Sequence, residues 1–569
     1  MRYLALVTDY DDTLAKNGRV MASVAVALER LRTSGRRIIL VTGRRIDDLL
    51  TLCECINSFD YVVAENGAVL YEPRTQETIL LAEPPPDHFI TTLRKRGVGP
   101  LEVGQVIVAT HVPQVEIVME TIQQFGLELQ VIFNRGSVMV LPSGVNKASG
   151  VRHALRLLGM SPHEVVGVGD AENDHSFLKI SECAVAVANA IDSIKDIAAM
   201  VTTGEAGTGI VELVDQLIAT DLEPIDAKLT HHHIALGTRL DGTTVWLPPY
   251  GRNLLIAGPS GSGKSTLATA FIERLAERFY QVCILDPEGD YSNLKNIVTI
   301  GDQRHAPSVE EVLAVLRDPD VHVNVNLLAI KLSDRPRYFA ELLPNLQAMR
   351  THTGRPHWIV VDEAHHLLPS TWGHAPRGLP QQFGESVLIT VNPAHLAPST
   401  LSLVDMVIAV GPAANVTLRG FTEAADRPSV QIDPSTAEKG DVVCWFVQGG
   451  QDPFPMQVIQ GQAERIRHRR KYAEGDVRYH SFYFRGPHGK HNLKAQNLFI
   501  FSQLAEGIDE ETWLYHLRRG DYSRWFREVI KDESLAEEAR IIEQRTDLSP
   551  WGTRCLIREA IGKRYTLPE

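Results

Sequence analysis

The chain has 569 residues, 44% hydrophobic and 22% charged, with a net charge of −13; this predicts several domains, about four at ~150 residues each, with cores that need no disulfide or metal staple. The acidic balance excludes a uniformly basic nucleic-acid coat, though not a local basic channel. Cys53, Cys55, Cys183, Cys283, Cys444 and Cys555 form no CxxC pair, no apolar run reaches the length of a membrane span, and Asp9 interrupts the signal-like start, so a cytoplasmic protein without disulfides is expected.

The chain opens MRYLALVTDYDDTLA. Tyr3 to Val7 reads as a strand buried on both faces, as in a parallel sheet. Asp9, Asp11, Asp12 and Thr13 follow at its carboxyl end, where open α/β sheets place ligands; the same residues could also simply cap a helix. From there to Leu217, strand-like runs (RIILVTG, YVVAENGAVLY, EVVGVGD, CAVAVAN) alternate with helical ones such as MASVAVALERLRTSG, which is the βαβ pattern. The roughly 80 residues between Gly67 and Lys147 are too many for a loop and are expected to fold as a small α+β cap, at about residues 83–142. Asn66, in AENGA, either faces the cap cleft or makes an Asn-Gly turn.

Three further stretches match the opening acids. Thr42 lies in VTGR after a strand, Lys147 precedes a helix in GVNK, and Asp170 and Asp174 follow a strand in GVGDAENDHSF. A carboxylate can attack a phosphoryl group, a second carboxyl can protonate the leaving oxygen, Mg²⁺ takes oxygen ligands, and Lys and Thr balance phosphoryl charge. In this order the four stretches resemble the motifs of the haloacid dehalogenase superfamily of phosphatases, over about residues 1–217. DYDDT fits the family's DxDxT. The resemblance implies Asp9 as nucleophile, Asp11 as general acid/base, Thr42 and Lys147 on phosphate, and Mg²⁺ held by Asp9, Asp11 through its backbone carbonyl, Asp170 and Asp174. The cap position resembles the branch with sugar-phosphate and phosphoglycolate phosphatases.

After a linker expected at 218–230, IALGTRLDGTTVWLPP reads as a hairpin turning at Asp241-Gly242. A second α/β domain, expected at 231–455, has strands at NLLIAG, QVCILD, HWIVVDEA, SVLITV and MVIAVG. GPSGSGKST satisfies GxxxxGK[ST] between a strand and a helix. Gly258, Gly261 and Gly263 let backbone N–H groups wrap phosphates, Lys264 reaches the β/γ oxygens, and Ser265 and Thr266 open the helix, with Ser265 on Mg²⁺. Asp362 would complete the Mg²⁺ sphere and Glu363 would polarise water, which favours ATP hydrolysis. Adjacent His365 and His366 point different ways on a helix and make a poor metal pair.

LDPEGDY after the next strand, together with the hairpin, resembles the HerA/FtsK-like ATPases over about residues 230–450, which implies a hexameric ring that moves nucleic acid. The sequence departs from that pattern at LITVNP, where Val391 takes the usual Gln position of a TQ pair and leaves Asn392 as the substitute sensor; Arg419 is a candidate arginine finger. Residues 456–569 read as a helical domain whose aromatic and leucine residues, from Leu498 to Phe526, form a core, broken at Gly507 and Gly520. ERIRHRRK is its basic patch, and Arg518, Arg519, Arg524 and Arg527 are interleaved with acids.

The fold class expected is therefore α/β: a Rossmann-like parallel sheet with an inserted cap, a P-loop α/β domain and a helical C-terminal domain. The expected function is Mg²⁺-dependent hydrolysis of a small phosphorylated sugar or sugar acid, fused to an ATP-binding and hydrolysing module. Two alternatives are a nucleic-acid machine whose phosphatase trims nucleotide or end phosphates, and a phosphatase regulated by a non-motor P-loop module.

Overall fold

The computed structural model describes residues 1–134, 136–291, 294, 296–371, 383–430, 442–448, 451–459, 461, 481–530 and 532–565. The first sheet has eight strands in the order β12-β11-β10-β1-β2-β3-β4-β5. These are β1 (Ala5–Asp9), β2 (Arg37–Val41), β3 (Tyr61–Ala64), β4 (Val69–Glu72), β5 (Glu77–Leu80), β10 (Val165–Gly169), β11 (Cys183–Ala186) and β12 (Met200–Val201). All pairs from β12 to β3 are parallel, while β4 and β5 add an antiparallel edge. β1 sits centrally with all five residues buried, so Asp9 is its last residue rather than a neighbour.

The insert is a small α+β unit as expected: β6 (Glu102–Val103), β7 (Val108–His111), β8 (Leu129–Asn134) and β9 (Ser137–Pro142) form an antiparallel sheet, ordered β6-β7-β9-β8. Helices Asp87–Lys95 and Val115–Phe125 close its own core, built on Phe89, Leu93, Val118 and Val140.

The segment expected as a linker is packed, not free. The helix Ala206–Thr220 runs into it, Leu222 and Leu229 join the first core, and Asp221 and Asp226 pair with Arg36 and Arg2. Apolar residues every three or four positions dock the segment, and its acids add to the pairing of two arginines, the buried Arg36 and Arg2, which also pairs with Glu182.

Among the described residues the second sheet has 11 strands, ordered β14-β13-β23-β22-β21-β15-β20-β19-β16-β18-β17. These are β13 (Ile234–Arg239), β14 (Thr244–Leu247), β15 (Asn253–Ala257), β16 (Val282–Asp286), β17 (Ile297–Ile300), β18 (His322–Asn326), β19 (Trp358–Val361), β20 (Ser386–Thr390), β21 (Met406–Val410), β22 (Val442–Phe446) and β23 (Phe454–Val458). The hairpin β13–β14 continues this sheet through β23 instead of standing apart, and β23 carries the domain past the expected boundary at 455.

The two sheets belong to one compact unit. Glu164 Oε1, just before β10, lies 2.7 Å from His357 Nε2, just before β19. Arg355, fully buried, donates to Gly159 O, Gln281 Oε1 and Leu316 O.

The C-terminal unit has its own core of Leu498, Phe501, Trp513, Leu517, Trp525 and Phe526, around helices Leu498–Gly507, Glu510–Arg518, Asp521–Trp525, Glu533–Glu543 and Pro550–Tyr565. Phe499 is exposed on it. A short hairpin, β24 (Phe482–Phe484) with β25 (Leu493–Ala495), adds to the helices. Arg519 and Arg524 both pair with Asp521, and ERIRHRRK lies outside the described residues.

Candidate functional site

The carboxyl ends of β1, β2 and β10 converge on one cleft. Asp9 ends β1, Thr42 follows β2, and Asp170 follows β10. Lys147 arrives as the first residue of the helix Lys147–Leu157, whose start is fixed by Asn146 and Ser149 capping each other. Gly67 permits this approach: it has φ 103°, and a Cβ there would meet Asn146 O at 1.9 Å.

Lys147 Nζ stands 2.5 Å from Asp9 Oδ1 and 2.6 Å from Asp174 Oδ1, with all three groups buried. Burial and the neighbouring Asp174 push the Asp9 carboxyl well up, against the pull of Lys147, and the two carboxylates hold Lys147 protonated against its own burial. Asp170 Oδ1 accepts the Thr13 hydroxyl at 2.7 Å, and Asp174 Oδ2 accepts the N–H groups of Asp170 and Ala171. Asp9, Asp170 and Asp174 each turn an oxygen to within 4.8 Å of the others. An all-oxygen, anionic donor set of this kind suits Mg²⁺. The Asp11 carboxylate lies outside this trio.

Asp11 instead receives Arg44 in two parallel bonds of 2.7 Å, Nε to Oδ2 and Nη2 to Oδ1. Thr42 is buried, and its hydroxyl accepts the Arg44 N–H. A cavity of about 360 Å³ lies above these groups, lined from the sheet by Asp9, Asp11, Arg44, Arg45 and Lys147 and from the cap by Glu102, Ile107, Asn134 and Met139. Asn66 fulfils both of its expected readings: it takes the left-handed conformation at φ 56° and donates to Met139 Sδ of the cap at 3.1 Å.

Sequence reasoning gave no role to Arg44, Arg45, Glu65 or Asn173. The two arginines directly follow the Thr42-Gly43 turn, so their place beside a strand-end site was the available signal. Glu65 and Asn173 reach their positions only through the cap and the loop after β10.

In the second domain β15 leads to the P-loop, β19 to Asp362 and Glu363, and β20 lies between them. Gly258 passes so close to β21 that a Cβ would meet Val410 O at 2.2 Å, and Gly261 and Gly263 have φ 77° and 102°. Lys264 Nζ donates to Gly258 O and Pro259 O, both at 2.9 Å, and burial pulls its ammonium down. Ser265 and Thr266 follow it in the helix Lys264–Glu277.

Asp362 is buried and pushed up to about 7 by that burial. Glu363, left-handed at φ 41°, keeps Oε2 buried without a hydrogen bond from any of the described residues, with His365 Nδ1 3.3 Å away. Burial, the nearby Glu288 charge and Asp290 raise it, against Lys264. An orphaned carboxylate oxygen facing the P-loop lysine's field is the arrangement a water or hydrated cation would complete.

Asn392 spends its Oδ1 capping Ala394, so the polar groups at the end of β20 are Thr390 Oγ1 and His365 Nδ1, 3.2 Å apart. Asp286 of LDPEGDY accepts four backbone N–H groups of its own loop and is structural. Arg419 is exposed on the helix Ala414–Ala424.

Comparison with known proteins follows this division. Residues 6–96 and 101–214 match the haloacid dehalogenase-like hydrolase family, and residues 250–372 match the central domain of helicase HerA. Phosphoglycolate phosphatase of Methanothermobacter thermautotrophicus is 31% identical over 217 residues, which are 37% of this chain and 96% of that protein. Phosphoglycolate phosphatase of Haloarcula marismortui is 30% identical over 222 residues, 37% of this chain and 95% of that protein. The crystal structure of Thermoplasma acidophilum 0175 aligns with 38% of this chain and 98% of its own at a TM-score of 0.34 and 16% identity. With a family match over residues 6–96 and 101–214 and relatives that the chain covers almost end to end, the chain belongs to the haloacid dehalogenase-like hydrolases and carries a HerA-type domain behind the hydrolase.

Proposed function

We propose that the first domain is a Mg²⁺-dependent phosphatase for a small phosphorylated sugar or sugar acid, and that the second binds and hydrolyses ATP. The observation that carries the first part is the 360 Å³ cavity between Asp9 and the cap, sized for a small molecule rather than a polymer. Asp9 attacks phosphorus and becomes an aspartyl phosphate while Asp11 protonates the leaving oxygen. Asp11 then takes a proton from the water that frees phosphate. Between turnovers Arg44 holds Asp11 as a carboxylate, and one Asp11 oxygen leaves that pair to carry the proton; Lys147 aligns Asp9 and Asp174 and balances charge on the phosphoryl oxygens with Thr42. Asp9, the Asp11 carbonyl, Asp170 and Asp174 would hold Mg²⁺, which would supply further positive charge to those oxygens.

In the second domain Lys264 exchanges its loop carbonyls for nucleotide phosphates, Ser265 and Asp362 bind the Mg²⁺ of the nucleotide, and Glu363 orients the attacking water. The test is phosphate release by the Lys264→Ala protein, free of its own ATPase background, across sugar phosphates, phosphorylated acids including phosphoglycolate, nucleotides and end-phosphorylated oligonucleotides, with Asp9→Asn in the same background as the blank. Preference for a small ester supports the reading, and preference for oligonucleotide ends overturns it.

The HerA match supports a second reading, in which the ATPase assembles as a ring and translocates nucleic acid. Size-exclusion chromatography with and without ATP checks it; a monomer in both conditions counts against a ring.

A further inference from the structure

Glu65 is a buried carboxylate that the chemistry above does not use. It sits between β3 and β4, fully buried, with φ 50°, a backbone conformation that a residue with a Cβ adopts only when its surroundings impose it. It has no ion pair among the described residues. Its two oxygens accept three backbone N–H groups from the cap: Gln105 at 2.9 Å on Oε1, and Val106 at 2.8 Å and Ile107 at 2.9 Å on Oε2. The donating loop is closed by Gly104 N–H on Ile107 O at 2.8 Å, and a Cβ on Gly104 would stand 2.6 Å from Glu65 Oε1.

Glu102 and Ile107, on either side of this turn, line the cavity, as does Met139, which receives Asn66, the residue next to Glu65. On the sheet side the Glu65 N–H donates to Arg44 O at 2.9 Å, so the same residue is tied to the arginine that grips Asp11.

We propose that Glu65 is the positioning residue that seats the cap: its carboxylate pins the 104–107 turn over the cleft, fixes the distance from Ile107 to the phosphoryl-transfer groups, and so selects small substrates that the closed cap can contact. A carboxylate is suited to this because it offers acceptors on two oxygens and no donor that would repel the turn's N–H groups. Its burial makes any alternative position costly, since leaving the turn strands a charge away from water. The proposal rests on the phosphatase reading above.

The test compares the full chain with Glu65→Gln, and with Gly104→Ala, which crowds the latch from the cap side without touching the sheet. Two esters are used: phosphoglycolate, small enough to be enclosed, and p-nitrophenyl phosphate, whose aryl group needs no cap contact. Both variants are expected to raise KM for phosphoglycolate about tenfold, the effect of one lost charge-assisted hydrogen bond, with kcat within about twofold. The kcat/KM for p-nitrophenyl phosphate should hold, and hydrogen exchange at residues 105–107 should accelerate.

An unchanged ratio between the two esters, or an equal fall for both, overturns the proposal. If the wild-type chain turns over no ester, the phosphatase reading fails instead. Exchange at 105–107 in Glu65→Gln still decides the latch: unchanged protection overturns it, and lost protection confined to that turn supports it.

Discussion

Glu164 and His357 share a buried hydrogen bond of 2.7 Å that joins the feet of two strands, β10 leading to Asp170 and β19 leading to Asp362. The tautomer follows from the neighbours. The Gln281 backbone N–H donates to His357 Nδ1 at 2.7 Å, so Nε2 carries the proton and gives it to Glu164. Each strand rises ~3.3 Å per residue over about five residues, so this bond stands about 17 Å below each set of acids.

Replacing Glu164 by Ala takes away the acceptor of the Ser161 N–H, which Glu164 Oε2 accepts at 2.7 Å, and leaves the His357 N–H only Ser161 Oγ, at 3.2 Å, in a buried junction. The expected loss is about 3 kcal/mol. Glu164→Gln keeps an acceptor and the shape, with an expected loss of about 1 kcal/mol. Urea unfolding of the two variants reads the difference; equal losses would show that packing, not this bond, holds the junction.

Acid should weaken the second domain through its buried histidines. Burial pulls His322 down to about 4, and its Nδ1 accepts the Val282 N–H, which fixes the neutral ring. His357 is lowered for the same reason. In the unfolded chain these rings titrate near ~6.5, so the unfolded state binds more protons below that pH and stability rises with pH across the window. The His322 contribution is complete above pH ~6.5 and is lost toward pH 4, about 3 kcal/mol in all.

Asp362, raised to about 7, acts oppositely: the folded state keeps its proton longer than the unfolded chain does, so stability from it is lost as pH rises from ~4 to about 7. The quantity to measure is therefore the difference between wild type and His322→Asn in unfolding midpoint from pH 4 to 7.5. A flat difference would show that His322 is not neutral in the folded protein.

The sequence revealed the α/β class and both sets of strand-end motifs because those signals are local: an apolar run, a turn, a fixed residue type. β18 escaped because it reads His-Val-Asn-Val-Asn, an alternation suggesting one wet face, yet all five residues are buried. Its polar side finds partners inside, with Asn324 Nδ2 donating to Asp286 and Thr299 and His322 accepting from Val282, while Asn324 Oδ1 accepts from none of the described residues. Glu65 was illegible for a related reason: its partners lie about 40 residues away in the cap, and no pattern in AENGA specifies them. Phe499 failed in the other direction, since a helical stripe drawn from hydrophobicity alone cannot tell which flank of it meets neighbours.

At the nucleotide site, binding and hydrolysis should separate. Lys264→Ala removes the phosphate-reaching ammonium and is expected to weaken ATP affinity at least tenfold. Glu363→Gln should bind ATP within about threefold of wild type while turnover falls 100-fold or more, because only the carboxylate with the orphaned Oε2 can orient water. Filter binding of labelled ATP beside a phosphate-release assay distinguishes them; normal turnover in Glu363→Gln would remove it from the reaction.

Arg45 is expected to set which small ester fits. It lines the cavity, holds Asp48 through Nε at 2.9 Å and Nη2 at 2.7 Å, and reaches the cap at Val103 O with Nη1 at 3.4 Å. It is about one-third exposed, so its pair with Asp48 is weakly stabilising and can be exchanged for a ligand anion. A carboxylate two or three bonds beyond the phosphoryl group offers the same bidentate geometry as Asp48. Arg45→Met keeps the aliphatic stem and removes the fork, and is expected to raise KM for phosphoglycolate 10- to 100-fold, about 1.4 to 2.7 kcal/mol. Ethyl phosphate, which lacks the carboxylate, should change by less than about threefold. Asp48→Asn, which loosens the resident partner, should lower KM for the acid ester alone. Equal effects on both esters in Arg45→Met would place Arg45 in cap packing and assign recognition of the second anion to Arg44 or Lys147, the other cations in the cavity.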